Sequence, residues 1–216
     1  MRVSIAPSLL TAACLLGCAQ PQRKAAPPRP AAADAAARRV DLLRSAGISE
    51  AELKRALELD PYGGEAQAAE AIEAYASGEE LKAMLLAQAA AGAEPGSGPR
   101  RKLLKGLEEK TGIEADPAEI LPLPGIVHLE LQRAEEAFFA EKYGAAVQAC
   151  RKALLLEPGN AQAWTRLGSA HHALGDAVSA NEAYQKALVF SPKDDELRAF
   201  MKERGYLPTE EGSLNR

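Results

Sequence analysis

Three histidines, His128, His171 and His172, and three cysteines, Cys14, Cys18 and Cys150, are the side chains best suited to metal binding or nucleophilic chemistry. Metal ligands must converge on one point, whereas adjacent helical residues such as His171 and His172 point about 100° apart. No metal and no cofactor is expected. The phosphate loop GxxxxGK, the GxSxG elbow and HExxH are all missing, and Gly96-Ser97-Gly98-Pro99-Arg100-Arg101-Lys102 lacks both the spacing and the preceding strand of a nucleotide loop. Acid pairs such as Glu108-Glu109 and Glu135-Glu136 are what helix surfaces normally carry. The expected protein is not an enzyme. A formal net charge of −4 and aromatics that do not alternate with Arg or Lys also argue against nucleic acid as a partner.

Cys18 stands in a different context. Arg2 is followed by an apolar run through Val3, Ile5, Leu9, Leu10, Ala12, Ala13, Leu15 and Leu16. A membrane-crossing helix needs roughly 20 apolar residues, so residues 1–17 read as a secretory signal peptide. The run ends in Leu15-Leu16-Gly17-Cys18, which resembles the lipobox of bacterial lipoproteins. That resemblance implies cleavage after Gly17 and lipidation at Cys18. Two or three acyl chains, each contributing about 0.8 kcal/mol per buried methylene, would anchor the mature chain without its spanning the membrane. Ala19 after the cysteine implies, as in lipoproteins of the enteric type, transport to the periplasmic face of the outer membrane. Cys14 would leave with the signal and Cys18 would be blocked, leaving Cys150 and no intrachain disulfide.

The elements that follow are a tether and then helices. Residues 18–37 hold Pro21, Pro27, Pro28 and Pro30 among alanines, with Arg23, Lys24 and Arg29 as the main charges. Such a segment favours polyproline II and at about 3.1 Å per residue spans roughly 50 Å. Residues 38–124 carry helix signals. Ser49-Glu50-Ala51-Glu52 and Ser77-Gly78-Glu79-Glu80 fit the capping box, and Asp116-Pro117-Ala118-Glu119 is a third start. Gly96-Ser97-Gly98-Pro99 and Leu121-Pro122-Leu123-Pro124-Gly125 are expected breaks. Ala, Leu, Glu and Lys dominate while β-branched residues are few, so the fold class is all-α.

A repeat of 34 residues closes the chain. With Ala161 as position 1, Trp164, Leu167, Gly168, His171, Ala180, Tyr184, Ala187 and Pro192 fall at positions 4, 7, 8, 11, 20, 24, 27 and 32. These are the signature positions of the tetratricopeptide repeat (TPR) family, which residues 161–194 resemble. One repeat earlier, Ala134, Ala137, Ala146, Ala153 and Pro158 occupy equivalent positions, so residues 127–160 resemble a second unit, with Glu130 and Arg133 atypical at positions 4 and 7. Cys150 then takes position 24, an apolar slot where free cysteine behaves as a small hydrophobe. Residues 195–205, with Leu197, Phe200 and Met201, suit a capping helix, and 206–216 a disordered tail. Residues 64–97 place Ala71, Ala74, Gly78, Ala83, Ala87, Ala90 and Pro95 in register. They are either a degenerate repeat or an alanine-rich helical pair matched by composition alone.

The resemblance implies hairpins stacked as a short right-handed α-solenoid whose first helices line a concave groove. The lining positions are His128, Leu131, Glu135, Phe138 and Phe139, then Gln162, Thr165, Ser169, His172 and Ala173. In repeats that clamp a chaperone's C-terminal carboxylate, Lys and Asn stand at these positions. Here they are absent, so an apolar or amphipathic segment of another envelope protein is the expected partner. The expected role is a scaffold or an assembly and docking factor in the bacterial cell envelope. Alternatives are a structural subunit of a stoichiometric complex, or a separate activity in residues 38–124.

Overall fold

The computed structural model describes residues 30–59 and 63–208. The signal peptide, Cys18 and most of the tether lie outside the described residues. Among those described, ten α-helices and one 3-10 turn make up the regular structure, with no strand. Five helices form the N-terminal half: α1 (Ala32–Ala46), α2 (Glu50–Leu59), α3 (Gly64–Ala76), α4 (Glu80–Ala93) and α5 (Gly98–Thr111). After the 3-10 turn Pro117–Glu119 come α6 (Leu123–Phe139), α7 (Tyr143–Leu156), α8 (Ala161–Ala173), α9 (Ala177–Phe190) and α10 (Asp195–Glu203).

Several helix starts differ from expectation. α1 begins at Ala32, six residues inside the expected tether, because Ala is the best helix former and Asp34 supplies negative charge to the first turn. α6 begins at Leu123, within the expected break, since Pro124 sits where its missing N–H has no helical partner to lose. The capping box at Ser49 forms: Ser49 N–H donates to Glu52 Oε2 at 3.0 Å and Glu52 N–H to Ser49 Oγ at 3.2 Å. That at Ser77 does not, because Ser77 ends α3 and Gly78 turns left-handed at φ 81° before α4 starts at Glu80. Asp116 accepts from Ala118 N–H at 2.9 Å but starts only a single 3-10 turn.

The pairs α3/α4, α6/α7 and α8/α9 are three hairpins with one turn geometry. Position 15 is left-handed in each, at Gly78, Glu141 and Gly175 (φ 81°, 59° and 76°). Its N–H donates to the position 12 carbonyl (Tyr75, Phe138, His172) at 3.0 Å, and position 16 N–H reaches the position 11 carbonyl (Ala74, Ala137, His171) at 2.8 to 2.9 Å. Ala83, Ala87 and Ala90 are fully buried, as are Cys150 and Ala153 and then Ala180 and Ala187 at equivalent positions. Residues 64–93 therefore share the hairpin turn geometry of the two units downstream.

One apolar core runs continuously from Leu42 on α1 to Ala183 on α9. α5, inserted between the first and second hairpins, packs on α4 and α1. The segment leading into α6 crosses the end of α4 at Gly92, where a Cβ would collide with the backbone of Leu121. α10 covers the last hairpin with buried Leu197 and Met201, and Asp194 caps it by accepting from Leu197 N–H at 2.9 Å. The chain beyond it is not a free tail from residue 206: Tyr206 and Leu207 pack against Tyr184 and Ala187 in a second, smaller core.

Candidate interaction groove

The signature residues of 161–194 close the last hairpin. A Cβ on Gly168 would lie 2.5 Å from the Tyr184 ring, so the missing side chain makes room for that fully buried aromatic. Leu167, Ala180 and Ala187 are buried beside it. Trp164 is half-buried, donates from Nε1 to the Pro158 carbonyl at 2.8 Å, and lies under Lys186 Nζ at 4.2 Å. Pro192, exposed, stands two residues beyond the end of α9.

The atypical residues of 127–160 form a polar network. Glu130, 2% exposed, accepts from Arg133 at 3.0 Å and Lys152 at 3.4 Å, and Arg133 also binds Glu119. These carboxylates raise the Arg133 pKa further. The network ties the 3-10 turn and α7 to α6, so position 4 is filled by neutralised charge where Trp164 stands in the next unit.

Four of the expected groove residues, Glu135, Phe138, Phe139 and Ser169, meet with Ala134 and Arg166 around a cleft of about 220 Å³ between α6 and α8. Phe139 is 77% exposed at its rim and stacks edge-on against Phe138 at 6.1 Å, and Phe138 in turn meets Tyr143 at 5.4 Å. Arg166 bridges the two helices, donating to the Leu131 carbonyl at 2.5 Å and pairing with Glu135 at 2.7 Å. The cleft is thus apolar on the Phe side and charge-neutral on the Arg side.

The other expected residues fall elsewhere. Leu131 is 7% exposed and belongs to the core, because α6 turns it inward between Val127 and Ala134. His172 is covered by the C-terminal segment: its Nδ1 is 2.7 Å from the Tyr206 hydroxyl and its ring meets Phe200 at 5.9 Å. The Thr165 hydroxyl donates back to the Ala161 carbonyl at 3.1 Å, as the hydroxyl of cleft-lining Ser169 does to the Thr165 carbonyl at 3.1 Å. His128, Gln162 and Ala173 are exposed without lining the cleft. Arg166 was missed by position in the repeat; the signal for it was opposite charge on successive first helices, Glu135 then Arg166.

Burial pushes the Cys150 thiol up to about 11, so the nucleophilic thiolate is disfavoured at neutral pH. Among the described residues no group of His, Cys, Asp or Glu is arranged to hold a metal ion, and no helix is long and apolar enough to cross a membrane.

Comparison with known proteins now bears on the hairpins. Residues 137–203 match the family model for the tetratricopeptide repeat. Over these residues the chain carries the tetratricopeptide-repeat pattern of that family. The chain is also similar to the Hsp70-Hsp90 organizing protein of Triticum aestivum, 33% identical over 92 residues, covering 43% of this chain and 16% of that protein. This chain thus spans about a sixth of that relative's length. TPR units typically bind other proteins, and the matched span takes in Phe138, Phe139, Arg166 and Ser169 around the cleft.

Proposed function

We propose that this protein is a lipid-anchored TPR lipoprotein that docks an apolar or amphipathic segment of another envelope protein in the cleft between α6 and α8. Its work is capture and assembly, with no turnover. The observation carrying the reading is Phe139, a large aromatic left 77% exposed beside a cleft lined by Phe138, Glu135, Arg166 and Ser169. Aromatic anchors of this kind dominate binding energy when a partner buries them. Support for the anchor comes from the lipobox resemblance at Leu15-Leu16-Gly17-Cys18, and the outer membrane is its proposed destination through Ala19. The relative's name links that protein to Hsp70 and Hsp90. Here the groove positions carry His, Leu, Glu, Phe, Gln, Thr and Ser in place of a Lys and Asn clamp, so that ligand is not carried over.

The test compares wild type with Phe139→Ala and Phe139→Asp in affinity capture from detergent-solubilised envelope, with circular dichroism to confirm folding. Both variants should lower capture of one partner by about tenfold or more. An unchanged partner set, also after deletion of residues 127–205, would remove the groove from function.

A further inference from the structure

The run Arg100-Arg101-Lys102, continued by Lys105, divides into two kinds of cation on α5. Arg100 is 8% exposed and turned inward, where Glu65 at 2.8 Å and Glu94 at 3.2 Å neutralise it. Arg101, Lys102 and Lys105 point to solvent. Lys105 pairs with Glu109 at 3.9 Å, both side chains well exposed, and among the described residues no ion pair joins Arg101 or Lys102. The first turn of α5 holds no acid.

Several acids of the surrounding helices are paired with other cations. Glu50 and Glu73 pair with Arg39, Glu80 with Arg38, Glu70 with Lys82, and Asp41 with Lys110. In a chain of net charge −4, the exposed start of α5 thus presents three cations, Arg101, Lys102 and Lys105, against the single exposed acid Glu109.

We propose that this face, centred on Arg101, Lys102 and Lys105, docks on an anionic phospholipid surface. The proposal rests on the anchored reading, because it is the tether from Cys18 that holds the face near a bilayer. Eleven residues lie between Cys18 and the first described residue, Pro30, and carry Arg23, Lys24 and Arg29. At about 3.1 Å per residue they reach roughly 40 Å, enough for α5 to meet the surface its own chain is anchored to. Charge complementarity selects the occupant: each Lys or Arg near an anionic surface strengthens binding about fivefold, and the effect fades within a Debye length. Docking here orients the molecule, leaving the cleft at the far half of the chain open to a partner.

The test reconstitutes the full chain, recovered from membranes, into vesicles of phosphatidylcholine alone or mixed with phosphatidylglycerol. Amine acetylation at each lysine is then followed by mass spectrometry. In anionic vesicles Lys102 and Lys105 should react about tenfold more slowly than in neutral ones. Exposed Lys193, beyond α9, should be unchanged, and high salt should erase the difference. Arg101→Ala, at an exposed position, should weaken the protection severalfold. Equal rates in the two vesicle types would overturn the proposal, as would equal slowing at Lys193. Protection seen only when envelope proteins are added would assign the face to an acidic protein instead. The N-terminal peptide mass, read in the same experiment, reports whether the chain starts at lipidated Cys18, so a failed anchor is distinguished from a failed docking face.

Discussion

At the scale of single residues, two buried groups set what the C-terminal half tolerates. Glu130 is a carboxylate at 2% exposure held by Arg133 and Lys152, whose side chains are more than a third exposed. Removing one partner of a fully buried pair costs about 3–5 kcal/mol, and solvent near the two cations lowers that here. Glu130→Ala should therefore destabilise by about 2 kcal/mol in urea unfolding, and Glu130→Met should recover much of it by filling the space without charge. If Glu130→Ala is as stable as wild type, the network is a surface ornament. Cys150 gives a pH dependence of definite sign. Its folded pKa of about 11 exceeds the ordinary 9.0, so above pH 9 the unfolded chain ionises while the folded chain does not. Stability is full below about pH 9 and falls as pH rises toward 11, by up to about 2–3 kcal/mol from this group. Tyr184, also raised by burial, adds a slope of the same sign. Urea midpoints at about pH 8 and about pH 10.5 should draw closer in Cys150→Ala without coinciding.

At the scale of elements, the hairpin turn is the unit that repeats. Glu141 occupies at φ 59° the left-handed slot that Gly78 and Gly175 fill in the other two hairpins. A side chain there costs about 1–2 kcal/mol, and part of that is offset by the entropy glycine loses on folding. Glu141→Gly should raise stability by about 0.5–1 kcal/mol, seen as a higher urea midpoint with unchanged slope. Gly168→Ala should act in the opposite sense, by about 1–3 kcal/mol, since its Cβ would meet the rigid Tyr184 ring at 2.5 Å. These positions also explain what the sequence could disclose. Residues 161–194 were legible because Trp164, Gly168, Tyr184 and Pro192 each carry a distinct packing role. Residues 64–93 were ambiguous because alanine fills nearly every small position and leaves composition and fold with the same signature. The starts of α1 and α6 were hidden by prolines, which read as breakers although a helix accepts them in its first turn. In the groove, the resemblance to the repeat implied the positions of Glu135, Phe138, Phe139 and Ser169. It could not give the reach of Arg166 to Leu131, which depends on the offset between neighbouring helices, nor the covering of His172 by Tyr206.

At the scale of the whole molecule, the insertion of α5 between the first and second hairpins raises the question of whether the two halves stand alone. Their core argues that they do not. Buried residues form one cluster from Leu42 to Ala183, and α4 packs against both α6 and α7. The backbone at Leu121 lies so close to Gly92 that no side chain fits between. Solenoid units bury their faces on neighbours and need about three for stability, so the two strict repeats alone lack a covered end. A fragment starting at Asp116 would expose Ile126 and Val127, which are 2% and 4% exposed in the whole chain. The full protein should unfold in one cooperative transition, whereas that fragment should melt broadly at lower temperature and lose slow amide exchange in α6 and α7. Gly92→Ala in the full chain should weaken the same seam, lowering stability by about 1–3 kcal/mol while leaving one transition. Two separate transitions in the wild-type chain, or a fragment as cooperative as the whole, would mean instead that the N-terminal helices fold and work as a unit of their own.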